Sequence, residues 1–536
     1  MRNAIILAAG KSNRFAPFTY EKPKGLFRVK DEILIERQIN QLVEAGVEQI
    51  VIVLGYMKEK FFYLEQKFPQ VKLIVNNEFG KKGNIYTLYT AREYLEDTFI
   101  CCADHYFTEN PFTYENPDNH SWRACTYEEG PFREFAAKVS DAGIITSTTV
   151  GGTNSLAQVG CAYMNSSFSA KFKELMEAEM DAFGVASMFW EEFYQKHIEE
   201  LTFYCRKFPS GVIFEFDNID DLRTFDSDFL LNVDSEIIDN ICNTLKCNPN
   251  DISNIAVISA GLTNVSFGFD VKNVRYVYRH PGGTAGNLIN RKSELFSQLA
   301  ARDIGIDDSV IDISITGWKI SYYVKDAKNC DFEKYDDQLE RGMEMLHQLH
   351  AVEVPEDAGV KIFDDVAEAK KLIEIASATK GHLAVEFADI IKKIDLLYPA
   401  VKEDAKRLGH GLVICHNDTY EPNYLYNDEG KMYLIDWEYT GLNYEANDIA
   451  CILCRYDWTD EQIERYLKAY LGHEMSEDER RYYYAFIPIC AFYWFGWGLY
   501  KGSVGDDDSF FFLPAYRNLI RFIDQALESY GLDANQ

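Results

Sequence analysis

Basic residues are scarce in this chain relative to acidic ones. Its 536 residues include 54 Lys and Arg against 85 Asp and Glu, which gives a formal net charge of −31. Such a surface repels phosphate backbones and anionic lipids, so we expect no nucleic-acid partner and no attachment to a membrane surface. Nucleotide binding is not excluded, because local Lys, Arg, Mg²⁺ and backbone N–H groups can hold phosphates.

The sequence also lacks several features of secreted proteins. Its N-terminus, MRNAIILAAG, has neither the long apolar region nor the cleavage site of a secretory signal. The twelve cysteines show no framework spacing, and the one tight pair, Cys451 and Cys454, has no second pair with which to form a Zn site. We therefore expect reduced thiols in a cytoplasmic protein.

One long uncharged stretch, residues 482–500, is a candidate membrane span by length alone. It is dominated by Tyr, Trp and Phe rather than by Leu, Ile and Val, and Pro488 interrupts it. We therefore predict a buried aromatic helix and no stable membrane insertion.

The length of the chain and its pattern of apolar runs predict two domains. In residues 1–228, short apolar strands alternate with helices, which predicts a doubly wound, Rossmann-like α/β sheet. Residues 232–536 begin with strands and continue mostly as helices, which predicts a two-lobed, protein-kinase-like α+β domain. In the first domain, ligands should bind beyond the carboxyl ends of the strands.

The first motif is LAAGKSNRF, residues 7–15, followed by Pro23 and Lys24. Small residues let the backbone approach a phosphate closely, and their N–H groups can cradle it. Arg14 and Lys24 would supply positive charge for a triphosphate and for departing pyrophosphate. The predicted nucleotide-binding residues are Leu7, Ala8, Ala9, Gly10, Arg14 and Lys24, the last two also being catalytic.

The whole string resembles the signature of sugar-nucleotide pyrophosphorylases and their relatives, except that Lys11-Ser12-Asn13 replaces the usual second glycine. The resemblance implies a nucleotidyltransferase with two aspartates that hold Mg²⁺ between the nucleotide and the incoming phosphate. Asp104, at the end of FICCAD, and Asp217, in IFEFDNIDDL, match these positions. A solvated carboxylate or a helix cap is the alternative for Asp217.

Two further segments resemble CTP:phosphocholine cytidylyltransferases: GNIYTLY, residues 83–89, and SMFWEEF, residues 187–193. This resemblance implies a substrate site that includes Asn84, Trp190 and Glu192, with the ring and the carboxylate facing a quaternary ammonium group. The alternatives are a core position for Trp190 and a surface charge for Glu192.

The second motif is HNDTYEPN, residues 416–423, followed by LIDWEY, residues 434–439. A carboxylate, an Asn five residues later and a second Asp recur in kinase catalytic loops. Asp418 would accept the proton of a substrate hydroxyl. Asn423 and Asp436 would hold Mg²⁺ on the phosphates of ATP.

Upstream segments resemble choline and ethanolamine kinases. SAGLTN, which ends at Asn264, could form a turn over the nucleotide. Arg279 would replace the usual kinase lysine, with Glu294 as its partner on a helix. An ordinary surface pair is the alternative for these two residues.

Aromatic residues carry the prediction of the kinase substrate. Choline is a permanent cation, so aromatic faces and carboxylates bind it. The family resemblance implies a pocket formed by Tyr439, Trp494 and Trp497, the two tryptophans being close to one helical turn apart; core positions are the alternative. Where choline kinases often carry Glu, this chain has Arg455. Either Asp457, two residues later, would supply the negative charge instead, or the pocket would rely on its aromatic residues.

Together the motifs predict a bifunctional enzyme that uses Mg²⁺. One half would phosphorylate choline with ATP, and the other would join phosphocholine to CTP. Ethanolamine, an aminoalkylphosphonate or a sugar phosphate is the alternative substrate, and a scaffold without catalysis is the alternative function. The complete set of catalytic residues argues against a scaffold. The sequence does not indicate an oligomeric state.

Overall fold

The computed structural model of the protein forms two compact units, Met1–Val257 and Ile258–Gln536. It describes residues 2–260, 264–282, 289–381, 383–505 and 509–533.

The division between the units falls later in the chain than the predicted boundary near residue 230. The ring of Phe229 packs edge-on against Phe18, with centroids 5.4 Å apart. The Glu21 carboxylate accepts hydrogen bonds from Ser235 Oγ at 2.6 Å and from the backbone N–H of Ile237 at 3.0 Å. These contacts attach the segment after residue 228 to the first unit.

Short helices and strands alternate through the first half of this unit and then give way to long strands. The strands are β1 (Arg2–Ala8), β2 (Arg28–Val29), β3 (Glu32–Ile33), β4 (Gln49–Leu54), β5 (Val71–Val75), β6 (Asp97–Cys102), β7 (His105–Phe107), β8 (Trp122–Val139), β9 (Ile145–Met164), β10 (Tyr204–Phe208) and β11 (Ile213–Glu215). The helices are α1 (Leu34–Glu44), α2 (Tyr63–Lys67), α3 (Asn84–Thr90), α4 (Ser166–Glu179), α5 (Trp190–Lys196), α6 (Ile219–Phe225), α7 (Phe229–Asn232) and α8 (Glu236–Leu245). Strand β12 (Ile252–Ala260) runs across the division.

The main sheet of the first unit has the order β10-β8-β9-β6-β1-β4-β5. Strand β1 pairs in parallel with β4 and with β6. Ile5 and Leu7 belong to one hydrophobic cluster, whereas Ala4 and Ile6 belong to another. Both faces of β1 are therefore buried, as a doubly wound sheet requires, and the predicted fold class is confirmed.

The second unit begins with strands and continues mostly with helices. Its strands are β13 (Asn264–Val271), β14 (Val274–Pro281), β15 (Val310–Ile313), β16 (Lys319–Tyr322), β17 (Lys328–Asn329), β18 (Val413–Cys415), β19 (Tyr424–Tyr426), β20 (Met432–Leu434) and β21 (Gly441–Asn443). Its helices are α9 (Arg291–Asp303), α10 (Asp336–His350), α11 (Asp365–Lys380), α12 (Leu383–Glu386), α13 (Ala388–Leu408), α14 (Glu445–Cys454), α15 (Asp460–Leu471), α16 (Glu477–Ser503) and α17 (Ser509–Ser529).

A sheet of order β12-β13-β14-β16-β15 precedes the helices, and two small sheets, β17-β19-β20 and β18-β21, carry the second motif. The predicted protein-kinase-like arrangement of a strand-rich lobe followed by a helical lobe is confirmed.

The uncharged aromatic run lies in α16, as predicted. From Tyr482 to Trp497, all residues except Tyr484 are buried, so the helix is covered on every side, which explains its apolar composition. Across the part of the chain that the structure describes, no helix is both long enough and apolar enough to cross a membrane.

Candidate active sites

The first candidate site begins at the carboxyl end of β1, the strand that lies between the parallel strands β6 and β4. Leu7, Ala8 and Ala9 are buried there, whereas Gly10 is exposed. Apart from its two chain neighbours, no described residue has an atom within 4 Å of where a Cβ of Gly10 would stand. Ser12 has a φ of 50°, in the left-handed region that favours glycine. The serine thus takes a glycine-like backbone conformation, and the open side at Gly10 leaves room for a phosphate.

Lys24 connects the two segments that carry the predicted metal-binding aspartates. Its side chain is buried, and Nζ lies 3.0 Å from Asp104 Oδ2 and donates a hydrogen bond to the main-chain oxygen of Phe216. Burial raises the pKa of the Asp104 carboxyl, but the nearby Lys24 and His105 outweigh this effect and lower the pKa to about 2. Asp104 is therefore an anion at neutral pH and suits a hard cation such as Mg²⁺.

Asp217 reaches this region because β11 pairs antiparallel with β7, which places Glu215 opposite His105. The carboxylate of Asp217 lies 2.6 Å from Arg14 Nη1. Their side chains are 41% and 68% exposed, respectively, so the pair is screened by solvent and contributes little to stability. The predicted residues Arg14, Lys24, Asp104 and Asp217 are thus linked through direct contacts and one intervening peptide.

The predicted substrate residues of this unit lie at the start of α5. Asn84 Oδ1 accepts a hydrogen bond from the backbone N–H of Trp190 at 2.7 Å. Trp190 is 2% exposed and belongs to the hydrophobic core. Glu192 Oε2 accepts from the N–H of Phe189 at 2.7 Å and so caps the helix. Asn84 and Glu192 therefore organise the turn in which Trp190 is buried.

The adjacent residue, Glu191, is the one that points inward. Its side chain is 12% exposed and lies 3.4 Å from Arg123, which is 6% exposed. Burial raises the pKa of Glu191, while Arg123 and a hydrogen bond from Asn84 oppose the increase. Sequence reasoning missed Glu191 and Arg123.

The second candidate site surrounds the loop that follows β18. Asp448, fully buried in α14, accepts hydrogen bonds from the backbone N–H groups of His416 at 3.0 Å and Asn417 at 2.7 Å. The Nε2 atom of His350 lies 2.9 Å from the same carboxylate. Asp448 therefore fixes the backbone immediately before Asp418.

The three predicted catalytic and metal-binding residues of this unit line one cavity of about 480 Å³. Asn423 Nδ2 donates to the main-chain oxygen of Asp418 at 2.8 Å and to its carboxylate at 3.3 Å. Asp436 follows β20 and has a φ of 71°. Asn264 also lines the cavity, whereas residues 261–263 of the predicted covering turn lie outside the described residues.

Burial raises the pKa of Asp418 to about 6; Asp436 and Asp448 add to the effect, and Arg455 and Asn423 oppose it. Such a carboxyl group can exchange a proton near neutral pH, which suits a general base.

Arg279 and Glu294 form a buried ion pair, with side chains 7% and 1% exposed. Arg279 also lies 3.6 Å from Glu438 and donates a hydrogen bond to the main-chain oxygen of Gly317 at 3.0 Å. Burial by itself would lower the pKa of Arg279, but Glu294, Glu438 and Asp436 raise it. This pair is therefore part of the interior rather than of the surface.

Lys319 is a second cation of this cavity, and sequence reasoning missed it. It stands opposite Arg279 in the register of β14 and β16. Its Nζ donates to Gln298 Oε1 at 2.9 Å, and Gln298 donates in turn to Asp307 at 2.9 Å. Two neighbouring cations on one sheet are suited to the phosphates of a nucleotide.

The predicted aromatic residues line the same cavity and contact one another. Trp497 Nε1 donates to the Tyr439 hydroxyl at 3.0 Å. The rings of Trp494 and Trp497 are 5.7 Å apart in an edge-on arrangement, and those of Tyr439 and Trp494 are 5.5 Å apart. Arg455 lies over the ring of Trp494. The pocket therefore combines an aromatic wall with a cation from the protein itself.

Two family models match the two units. The model described as a MobA-like NTP transferase domain matches residues 4–114, and the model described as choline/ethanolamine kinase matches residues 255–508.

Individual relatives divide in the same way. Residues of the first unit are 34% identical, over 42% of this chain and 93% of the relative, to a 2-aminoethylphosphonate cytidylyltransferase of Lancefieldella rimae. They are 30% identical, over 41% of this chain and 95% of the relative, to a choline-phosphate cytidylyltransferase of Streptococcus pneumoniae. Protein LicA of Haemophilus influenzae is 26% identical over 46% of this chain and 92% of its own length. Through its first unit the chain therefore belongs to the cytidylyltransferase family of nucleotidyltransferases, and its second unit is a choline/ethanolamine kinase domain.

Proposed function

We propose that the second unit phosphorylates choline with ATP and that the first unit joins the resulting phosphocholine to CTP. The observation that carries this proposal is the single cavity in which Asp418, Asn423 and Asp436 meet the aromatic group Tyr439, Trp494 and Trp497. A base for a hydroxyl and an aromatic surface for a cationic head group line the same cavity.

In the kinase step, the hydroxyl oxygen of choline attacks the γ-phosphorus of ATP. The bond to the β-phosphate oxygen breaks, and ADP leaves. Asp418 accepts the hydroxyl proton, while Arg279 and Lys319 face the phosphates. Bound through Asn423 and Asp436, Mg²⁺ would offset the charge of the phosphates.

In the second step, a phosphate oxygen of phosphocholine attacks the α-phosphorus of CTP, and pyrophosphate leaves. The nucleophile is already an anion, so no base is required. Lys24 and Arg14 balance the charge of the two phosphate groups, and the backbone at Gly10 approaches the triphosphate. Asp104 and Asp217 have the oxygen ligands that Mg²⁺ prefers, and bound metal would reduce the repulsion between the two anions.

A second candidate substrate of the first unit is 2-aminoethylphosphonate, which the 34%-identical relative is named for. That compound already carries its nucleophilic phosphonate oxygen and needs no prior phosphorylation. The presence of a kinase domain in the same chain therefore favours phosphocholine. We also propose that the protein works in the cytoplasm, where ATP and CTP are available.

The test is ³¹P NMR of the purified chain with Mg²⁺, ATP, CTP and choline, repeated with ethanolamine and, without ATP, with 2-aminoethylphosphonate. We expect CDP-choline to form through transient phosphocholine. Phosphocholine without CDP-choline would overturn the assignment of the first unit. Absence of phosphoryl transfer to either alcohol would overturn the assignment of the second.

A further inference from the structure

The aromatic pocket of the second unit already holds a cation. The guanidinium carbon of Arg455 lies 3.8 Å from the ring centroid of Trp494 and 4.8 Å from that of Tyr420. Arg455 is 9% exposed and lines the same cavity as Asp418. Its position over two rings is the one that a cationic ligand would take.

Among the described residues, Asp418 is an acidic group that lies near this charge. Arg455 Nη2 is 3.8 Å from Asp418 Oδ1, which is longer than a charge-assisted hydrogen bond. Asp457 is 55% exposed and lies 2.7 Å from Arg517, and it is not among the described residues that line the cavity. Asp457 therefore does not supply the negative charge that its position in the sequence suggested.

One face of an aromatic ring holds one cation at short range, and two cations placed there repel each other. A trimethylammonium group that binds against Trp494 must therefore displace the guanidinium group or share a low-dielectric pocket with it. Either event weakens the binding of choline, and the effect does not extend to ATP, whose phosphates face Arg279 and Lys319.

We propose that Arg455 is a specificity-determining residue of the kinase unit: it occupies the aromatic site that a cationic amino alcohol requires and thereby weakens the binding of choline. This inference rests on the proposed function of the second unit. It concerns the Michaelis constant for the alcohol rather than the chemical step.

The test compares three variants of the full-length chain: Arg455→Glu, Arg455→Gln and Arg455→Lys. We expect the KM for choline to fall about tenfold in Arg455→Gln, which corresponds to about 1.4 kcal/mol. It should fall further in Arg455→Glu and change least in Arg455→Lys, which keeps the charge. The KM for choline would then decrease as the charge at position 455 becomes less positive. A purely structural role of Arg455 would instead raise this KM in all three variants.

Two controls separate binding from other effects. Arg455 opposes the rise in the pKa of Asp418, as does Asn423, whereas Asp436 and Asp448 promote it. Assays at about pH 8.5 keep Asp418 ionised in the wild type and in the glutamine and lysine variants. The KM for ATP should match the wild type and so report an intact kinase unit. The rate of CDP-choline formation from supplied phosphocholine should also match and so report an intact first unit.

A KM for choline that is unchanged or raised in both Arg455→Gln and Arg455→Glu, in enzyme that still turns over choline, would overturn this inference alone. A wild-type chain that phosphorylates neither choline nor ethanolamine would overturn the proposed function and the inference with it.

Discussion

The two candidate sites each place an aspartate beside a cation, yet the pKa values of the two carboxyl groups move in opposite directions. Asp104 has Lys24 Nζ at 3.0 Å and a pKa lowered to about 2. Asp418 has Arg455 at 3.8 Å and a pKa raised to about 6. Burial raises the pKa of both carboxyl groups. At Asp104 the closer cation outweighs this increase, whereas at Asp418 further acidic groups add to it.

This difference matches the two kinds of chemistry. A carboxylate that stays ionised is suited to hold a metal ion, because it does not lose its charge when conditions change. A carboxyl group with a pKa near neutrality is suited to accept a proton. The same side chain thus acquires two roles from the charges around it.

The proposed contrast between Asp104 and Asp418 would fail most clearly if Asp418 were not a base. Replacing Asp418 with Asn removes the proton acceptor, so we expect the kcat of phosphocholine formation to fall about 10³-fold. Formation of CDP-choline from supplied phosphocholine should stay unchanged. Asp457→Asn, at an exposed position, is the matched control. A kinase kcat close to that of the wild type would contradict the proposed role.

The ion pairs of the two sites differ in burial, and we expect their contributions to the free energy of unfolding to differ accordingly. Glu294→Gln leaves Arg279 buried without its main partner, so we expect the free energy of unfolding of the second unit to fall by about 3 kcal/mol. Arg14→Gln removes only an exposed pair and should change stability by less than about 1 kcal/mol. Urea titration followed by tryptophan fluorescence measures both. Equal effects would show that burial does not distinguish the pairs.

Asp104→Asn tests the same contrast in the first unit. It removes the permanent anion, so we expect CDP-choline formation to slow about 10²-fold while phosphocholine formation continues. Asp141→Asn, in the exposed turn between β8 and β9, is the control. If the Asp104 variant kept its cytidylyltransferase rate, this residue would not serve as a metal ligand in the reaction.

The smallest effect concerns pH. Because protonated Asp418 cannot accept a proton, the kcat of the kinase step should fall about tenfold for each pH unit below about 6. Asp104 remains ionised down to about pH 2, so it should cause no such decline in the cytidylyltransferase step. Separate assays of the two steps between about pH 5 and 8 check this. If both steps showed the same dependence on pH, this would contradict the opposite shifts in the pKa values of Asp104 and Asp418.

Sequence motifs predicted those parts of both candidate sites that lie at strand ends. The loop after β1, Asp104 after β6 and Asp418 after β18 were all predicted from short contiguous strings, because an apolar strand followed by a turn fixes where the next polar side chain lies. The order of strands and helices likewise predicted the fold class of both units.

Other features depend on geometry that a string of residues does not carry. Glu191 rather than Glu192 points inward, because Glu192 is the third residue of α5 and caps its N-terminus. Asp448 is tied to residues 416 and 417 across 31 or more positions of sequence. Arg455 is buried, whereas Asp457, two residues later, is exposed. This difference likewise depends on packing and not on the local sequence pattern.

The position of Arg455 also bears on how the substrate preference of the kinase unit could be changed. Trp494 and Trp497 belong to the hydrophobic core, so truncating either would cost about 3–5 kcal/mol of stability. Arg455 instead stands at the C-terminal cap of α14, where a substitution alters the pocket while leaving the aromatic helix in place. Under the role proposed for Arg455, a single substitution at this cap would shift the preference of the kinase unit among amino alcohols, while the core that supports the pocket is preserved.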